Sequence, residues 1–313
     1  MLVPELPEVE TVRRQLEPEV IGKRIARAEV LDERWTRPRP PAETERALAG
    51  RTIAAVERRG KYLILGLDDR SALVMHLRMT GNLLFRPARS GSLTDLMETE
   101  RLGAPRLYAR SAAVHHLRAR VVLDDGSELL FMDARRFGHG HVLTESEIEP
   151  YFAARLGIEP LSEGFTAEGL CALAANRRAP LKSFLLNQSG IAGIGNIYAD
   201  EAMFRARLHP LSEAGSLKLE HCEALREGIV GALELALEKR GSSIDDYRDL
   251  RGGRGSMQEE FLVHTREGEQ CRRCGEEIRR VAVSGRSTYF CPGCQVRLRA
   301  RPRRRAKRPL RPA

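Results

Sequence analysis

Residues 187–201 read NQSGIAGIGNIYADE, with three glycines placed just ahead of a helix that opens at Asn196. The apolar spacing on either side fits two short helices, Pro180–Asn187 and Asn196–Arg205, so the glycines fall in the turn between them. Glycine allows a close backbone approach that a Cβ forbids. Gly193 and Gly195 therefore let amides at the start of the second helix point at a phosphate. A helical hairpin of this kind grips one phosphate without reading base sequence. A lone Gly-x-Gly pair is also the mark of an ordinary turn.

Outward from this hairpin, the chain from Thr144 onward has helical periodicity over Glu145–Arg155, Thr166–Ala175 and Leu217–Lys239. Cys171 and Cys222 lie singly in two of these segments and are expected as buried core residues. The stretch before Thr144 is different. Short β-like runs occupy Ile25–Leu31, Thr52–Arg59, Lys61–Leu67, Ala72–His76, Arg120–Asp124 and Glu128–Asp133, separated by Gly- and Asp-rich turns. They predict two packed antiparallel sheets, preceded by an amphipathic helix over Pro4–Leu16. Arg86–Val114 is poorly patterned and reads as a loop or insertion.

After the helices comes Cys271-x2-Cys274, sixteen residues, then Cys291-x2-Cys294. This is the spacing of a four-thiolate zinc site, two knuckles joined by a β-hairpin. A disulfide framework is the alternative, which a cytosolic setting disfavours. Four thiolates leave no open coordination position, so one Zn2+ is expected in a structural role. Arg286 falls near the hairpin tip, where it is either a solvated arginine or a group that reaches DNA.

The fold class expected is α+β: an N-terminal antiparallel β-sandwich with a leading helix (residues 1–145), a helical domain (146–262) and a zinc β-ribbon (263–295). A basic, disordered tail (296–313) ends the chain. The net charge of +9 belongs to that tail, because Gln295–Ala313 holds eight arginines and Lys307 with no acid. Without it the chain has 43 basic and 43 acidic residues. Such a run adds salt-sensitive, sequence-blind affinity for phosphates. No apolar run reaches the ~18 residues of a membrane span, and no secretory signal is read at the N-terminus. A cytoplasmic, nucleoid-associated monomer is expected.

The remaining motifs are Pro4-Glu5-Leu6-Pro7-Glu8-Val9-Glu10, Arg59-Gly60-Lys61-Tyr62-Leu63, His76-Leu77-Arg78-Met79-Thr80-Gly81 and Asp133-Ala134-Arg135-Arg136-Phe137-Gly138. Together with Gly193–Glu201 and the four cysteines, in this order, they resemble the bacterial formamidopyrimidine-DNA glycosylases over residues 3 to 295. The related endonuclease VIII branch begins PEGPE, so Leu6 favours the purine-lesion branch. The resemblance makes the helical domain a helix-two-turn-helix domain and the partner damaged double-stranded DNA.

The resemblance also implies an activity: excision of oxidised purines (8-oxoguanine, formamidopyrimidines), then strand cleavage by β,δ-elimination. An N-terminal proline is the nucleophile, here Pro4, through its secondary amine. Glu5 becomes the acid/base, Lys61 the proton donor in β-elimination and Arg286 the group tied to δ-elimination. Read alone, Glu5 is a helix-start acid and Lys61 a solvated turn charge. Met79, Arg135 and Phe137 would fill the hole left by the flipped base, and His116, Arg135 and Arg178 would contact the DNA backbone, with Lys182 and Asn196 as further phosphate ligands. The stretch Asp246–Gly268 has the length of a loop that closes over the lesion, but lacks the usual aromatic after its glycine.

As written, Pro4 follows Val3, and an amide nitrogen is no nucleophile. Val3 is therefore expected to be the true initiator, read as Met and trimmed to free Pro4. If residues 1–3 remain, the alternative is a DNA-damage-binding protein without lyase activity. An oxidised-pyrimidine glycosylase of the same family is the other alternative.

Overall fold

The computed structural model describes residues 4–88, 114–244 and 247–299. Most of the expected insertion, residues 1–3 and most of the basic tail lie outside them. The sandwich has two four-stranded antiparallel sheets. Strands β1 (Ile25–Val30), β5 (Gly81–Arg86), β6 (Leu117–Leu123) and β7 (Glu128–Asp133) form one, in the order β1-β6-β7-β5. Strands β2 (Ile53–Arg59), β3 (Tyr62–Leu67), β4 (Ala72–His76) and β8 (His139–Leu143) form the other, in the order β2-β3-β4-β8. Strands β5 and β8 and the short helix α2 (Pro41–Leu48) add to the elements expected from sequence. Buried Asn82 in β5 and the pair His139 and His141 in β8 break the apolar alternation that marks a strand.

Leu63, Leu65, Leu73 and Met75 from one sheet meet Leu83, Val121, Leu129 and Phe131 from the other. Tyr62, Ile64 and Val74 point to the opposite face, where Phe152 of helix α3 (Glu145–Ala153) covers them. Burial on both faces explains why β3 and β4 read as unbroken apolar runs.

Helix α1 (Leu6–Val20) joins the two halves of the molecule. Its Val9, Val12, Leu16 and Val20 are fully buried in the sandwich core, each contributing about 1.5–3 kcal/mol by burial. Leu6, one turn earlier, belongs to the core of the helical domain. That domain comprises α4 (Ala167–Ala174), α5 (Leu181–Leu185), α6 (Asn196–Arg205) and α7 (Leu219–Glu238). Leu170, Leu185, Ile197, Tyr198, Leu225 and Leu233 are among its core residues.

The chain after α7 crosses back to the sandwich. Tyr247 and Leu250 sit in the sandwich core, Phe85 N donates to Leu250 O (3.0 Å), and Arg248 N donates to Asn82 Oδ1 (3.0 Å). Met257 and Phe261 then return to the helical core. The zinc ribbon follows, with β9 (Arg279–Val283) paired antiparallel to β10 (Arg286–Phe290). Its two-residue turn, Ser284-Gly285, has φ of 49° and 74°, as a hairpin turn that follows the strand twist requires. No helix among the described residues is long and apolar enough to cross a membrane.

Cys171 and Cys222 differ from the solitary core residues expected. They form a disulfide between α4 and α7, spanning 51 positions. Closing a loop of that length stabilises by about 4 kcal/mol in the chain-entropy picture. Adding a reductant that leaves bound zinc in place is expected to lower the melting temperature in calorimetry. An unchanged melting temperature would show that the pair is not linked in solution.

Candidate active site

Two helices meet end to end at the boundary between the domains. Glu5 precedes α1, is 1% exposed, and accepts hydrogen bonds from the Gly195, Ile197 and Tyr198 amides at the start of α6, at 2.7, 2.9 and 3.5 Å. A carboxylate is well placed at the positive end of a helix. The glycines make this contact possible. A Cβ on Gly195 would lie 2.2 Å from the Glu5 carboxyl carbon, and Gly193, at φ 84°, has its carbonyl bonded to Leu6 N (3.1 Å). The amides that sequence reasoning aimed at a phosphate are thus partly engaged by Glu5.

Glu8 supports the same junction from below. Its carboxylate accepts from Glu5 N (2.9 Å), Tyr198 Oη (2.6 Å) and Ser242 N (2.8 Å). Burial and the neighbouring Glu5 push its carboxyl up to about 7, against the lowering effect of those donors.

Glu5 lies on the floor of a cleft of about 970 Å³, which is also lined by Lys61, Met79, Phe137, Asn196 and Arg286. Six of the residues predicted from sequence therefore share one cavity. Lys61 is half-buried in the β2–β3 turn. That turn is fixed by Arg58, which donates to Gly60 O (2.9 Å) and pairs with Glu159 (2.9 Å) and Glu10 (3.1 Å). Burial lowers the Lys61 ammonium below its ordinary value, opposed by Glu5 and Glu8 and reinforced by Arg286 and Arg78. Arg286 is exposed at the start of β10, so the ribbon delivers it to the cleft.

Met79 and Phe137 stand on two turns that Asp133 ties together. This fully buried carboxylate accepts from Thr80 Oγ1, from Arg135 N (3.1 Å) and from Gly138 N (2.7 Å). Phe137 is 50% exposed, with the Arg135 guanidinium 4.7 Å above its ring. A half-solvated phenyl ring at a cleft edge is the kind of wedge that enters a base stack.

The other predicted residues are placed differently. Pro4 is buried directly before Glu5 and is not among the residues lining the cleft. The proposed start at Val3 lies outside the described residues. His116 stands in the turn entering β6, and Arg178 is exposed in the loop between α4 and α5. Lys182, expected as a phosphate ligand, is fully buried: its Nζ donates to Asp200 Oδ1 and Asn196 O, both at 2.6 Å. In this arrangement it positions α6 instead of facing solvent. Asp200 Oδ2 lies 2.8 Å from His264 Nδ1, extending the network to the cleft wall. Asn196 Nδ2 donates to Ser287 O (3.0 Å), which ties α6 to the ribbon hairpin. The described part of the expected lesion loop contributes His264 and Thr265 to the cleft, while Tyr247 and Leu250 serve the sandwich core.

Sequence reasoning gave no role to Asp200, Glu201 or His264, and saw in Glu8 only an acid suited to the positive end of the first helix. Glu201 accepts from the amides of Leu262, Val263 and His264, each at 3.0 Å, and so fixes the entry to the ribbon. Only the run of acids in Asp200-Glu201 at the end of the hairpin motif hinted at buried use.

The sulfurs of Cys271, Cys274, Cys291 and Cys294 all lie within 4.8 Å of one another. Cys271 and Cys294 are 3.8 Å apart and Cys274 and Cys291 3.4 Å, close to the edge of about 3.8 Å that a tetrahedron with Zn–S bonds of ~2.3 Å requires. The donor set fits one structural zinc ion.

Two expectations follow from this geometry. Because the folded-state value of Glu8 lies above its ordinary 4.5, its stabilising effect is fully present below 4.5 and is lost as pH rises to about 7. The stability advantage of the native protein over Glu8→Gln should therefore grow as pH falls through that window in denaturant titrations. A constant difference would mean that Glu8 ionises normally. Cys291→Ser should release the metal and unfold the ribbon, because the ion supplies much of the folding energy of so small a module. A zinc-free variant whose ribbon stays protected from proteolysis, with metal content read by mass spectrometry, would contradict this.

Comparison with known proteins gives three matching families. Residues 3–140 match the formamidopyrimidine-DNA glycosylase N-terminal domain, residues 156–248 its H2TH domain, and residues 268–296 a zinc finger found in FPG and IleRS. The chain is 42% identical over 296 residues to the formamidopyrimidine-DNA glycosylase of Chloroflexus aurantiacus, covering 94% of this chain and 98% of that one. It is 45% identical over 294 residues to that of Symbiobacterium thermophilum, covering 94% and 89%. Among solved structures, Lactococcus lactis Fpg with an abasic site containing DNA superposes with a TM-score of 0.80 at 33% identity, covering 94% of this chain and all of the other. The same protein with an oxidised pyrimidine containing DNA gives 0.79 at 34% identity, covering 93% and 99%.

Proposed function

The chain belongs to the formamidopyrimidine-DNA glycosylase family, and from that premise we propose that it excises oxidised purines from duplex DNA and cleaves the strand at the resulting sugar. One observation carries this: Glu5, directly after Pro4, is held by the amides of α6 on the floor of a cleft that also holds Lys61 and Arg286. A base cannot be reached inside the helix, so it must be turned out of the stack. Met79 and Phe137, with Arg135, are suited to occupy the space it leaves.

Once its amine is free, the Pro4 nitrogen uses its lone pair to form a bond to C1′. The C1′–base bond breaks, and the base departs with that electron pair and a proton. Glu5 is the group positioned to deliver a proton to the ring oxygen as the sugar opens, giving an iminium between Pro4 and C1′. The iminium withdraws electrons, so the C2′ proton is lost and the C3′–O3′ bond breaks, with the pair leaving on the 3′-phosphate. Repetition at C4′ and C5′ releases the 5′-phosphate. Lys61, with its ammonium lowered by burial, and Arg286 supply proton donation and charge at these phosphate departures. Zinc, when bound, holds the ribbon that presents Arg286. A monomer suffices, since all these groups come from one chain.

The test is borohydride trapping. A chain beginning at Pro4, incubated with an 8-oxoguanine duplex and borohydride, should become covalently attached to the DNA as the iminium is reduced. Glu5→Gln should lower base release about 10²–10⁴-fold while binding stays within a few-fold. Absence of any cross-link would leave a DNA-damage-binding protein without lyase activity. Trapping on oxidised pyrimidines alone would shift the assignment to that lesion class.

A further inference from the structure

Consecutive acids on α6 clamp one histidine of the cleft. Glu201 accepts from the His264 amide (3.0 Å) and from those of Leu262 and Val263, which fixes the backbone. Asp200 fixes the side chain, with its Oδ2 2.8 Å from His264 Nδ1. The imidazole is buried between Phe261 and Tyr289, whose rings meet it edge to face at 5.4 and 5.1 Å. So held, the ring keeps one orientation, and it forms part of the cleft lining. Tyr289 stands on β10, the strand that begins at Arg286, so His264 lies between the helix that holds Glu5 and the strand that carries Arg286.

The partner of Nδ1 decides what Nε2 can do. A carboxylate only accepts, so Nδ1 carries the hydrogen and the neutral ring presents a lone pair at Nε2. That nitrogen has no partner among the described residues and is not sealed from solvent. Asp200 is itself balanced, because Lys182 Nζ donates to its other oxygen (2.6 Å). The same lysine feels the charges of Glu5 and Arg286, which places the Lys182–Asp200–His264 chain beside both. His76, also in the cleft wall, is held in the opposite sense. Its Nδ1 accepts from Arg78 N (2.9 Å), which leaves the hydrogen on Nε2 and makes that atom a donor. Lys61 and Arg286 are cations with hydrogens to give, and Glu5 is engaged by three amides. Among these side chains, His264 is the one with an open lone pair held in a fixed direction.

We propose that His264 is the catalytic base that removes the C2′ proton in the first elimination, with Asp200 and Lys182 as positioning residues behind it. The assignment presupposes the iminium at Pro4. Nε2 bonds to the C2′ hydrogen, and the C2′–H pair becomes the C1′=C2′ bond of an enamine as the iminium pair returns to the Pro4 nitrogen. That nitrogen pair then re-forms the iminium. The C1′=C2′ pair moves to C2′=C3′, and the C3′–O3′ bond breaks with its pair leaving on the 3′-phosphate. The proton stays on the imidazolium, which Asp200 stabilises, and passes to solvent afterwards. The ring is restored and no further reactant is consumed.

The test uses the zinc-loaded chain beginning at Pro4 on a duplex with a preformed abasic site, so that base release drops out. Borohydride trapping reads iminium formation, and gel electrophoresis reads strand cleavage. His264→Gln should cross-link within a few-fold of the native chain while nicking falls about 10²–10⁴-fold, so that the trapped species builds up. In His264→Ala, imidazole added to the buffer should restore nicking, and more basic substituted imidazoles should restore it faster. A ring that merely filled space would show no dependence on basicity, and rescue indifferent to it overturns the proposal. Unchanged nicking in His264→Gln does the same. So does an equal fall in cross-linking and nicking, which would make His264 a phosphate ligand or a structural residue. A native chain that forms no cross-link would overturn the iminium itself, and this step with it. Native cross-linking and nicking beside an unimpaired His264→Gln would overturn this assignment alone.

Discussion

Everything at this site depends on a carboxylate shared between two helix starts. Glu5 ends the extended chain before α1 and closes the open amides of α6, so the sandwich and the helical domain are joined at the atom where chemistry is proposed. Helix dipoles favour that arrangement from both sides. The join also has a steric condition, because any side chain at position 195 would occupy the space of the carboxyl group. Catalytic geometry and domain assembly are thus one constraint.

Around this joint, buried charges fix the approach of each element. Lys182 and Asp200 are both fully buried, and the pair carries His264 at its far end. Glu201 on the same helix collects three amides of the chain entering the ribbon. An ion pair in such a setting adds little net stability, since desolvation offsets attraction, but removing one partner is costly. Tyr247 and Leu250 supply the apolar counterpart by inserting the chain after α7 into the other domain. Tyr247 Oη also donates to Glu8 O (3.2 Å).

How far the sequence could be read depends on how local each signal is. The four cysteines were legible because zinc imposes its own spacing on neighbouring residues, and Gly193-x-Gly195 marked its turn by backbone need alone. The residues Pro4–Glu10 were legible as a motif, yet nothing local in them tells that Glu5 would be held by amides some 190 positions away. Lys182 reads as a surface cation until Asp200 is seen beside it. Cys171 and Cys222 pair across 51 positions that carry no pairing signal. Leu250 sits among Arg, Asp and Gly, a composition that suggests an exposed loop, and its burial comes only from a partner domain. Strands β5 and β8 were hidden by Asn82, His139 and His141, polar residues in positions set by the neighbouring sheet and cleft.

The ribbon's sulfur ligands have a further consequence. Cys274 is exposed, and thiolates are among the first groups that peroxide attacks. Under the proposed activity, the oxidants that generate substrate in the genome also threaten the clasp that keeps Arg286 at the cleft. Oxidation of one exposed sulfur would thus act at a distance, loosening the limb that carries Arg286 while leaving Glu5 and Lys61 in place.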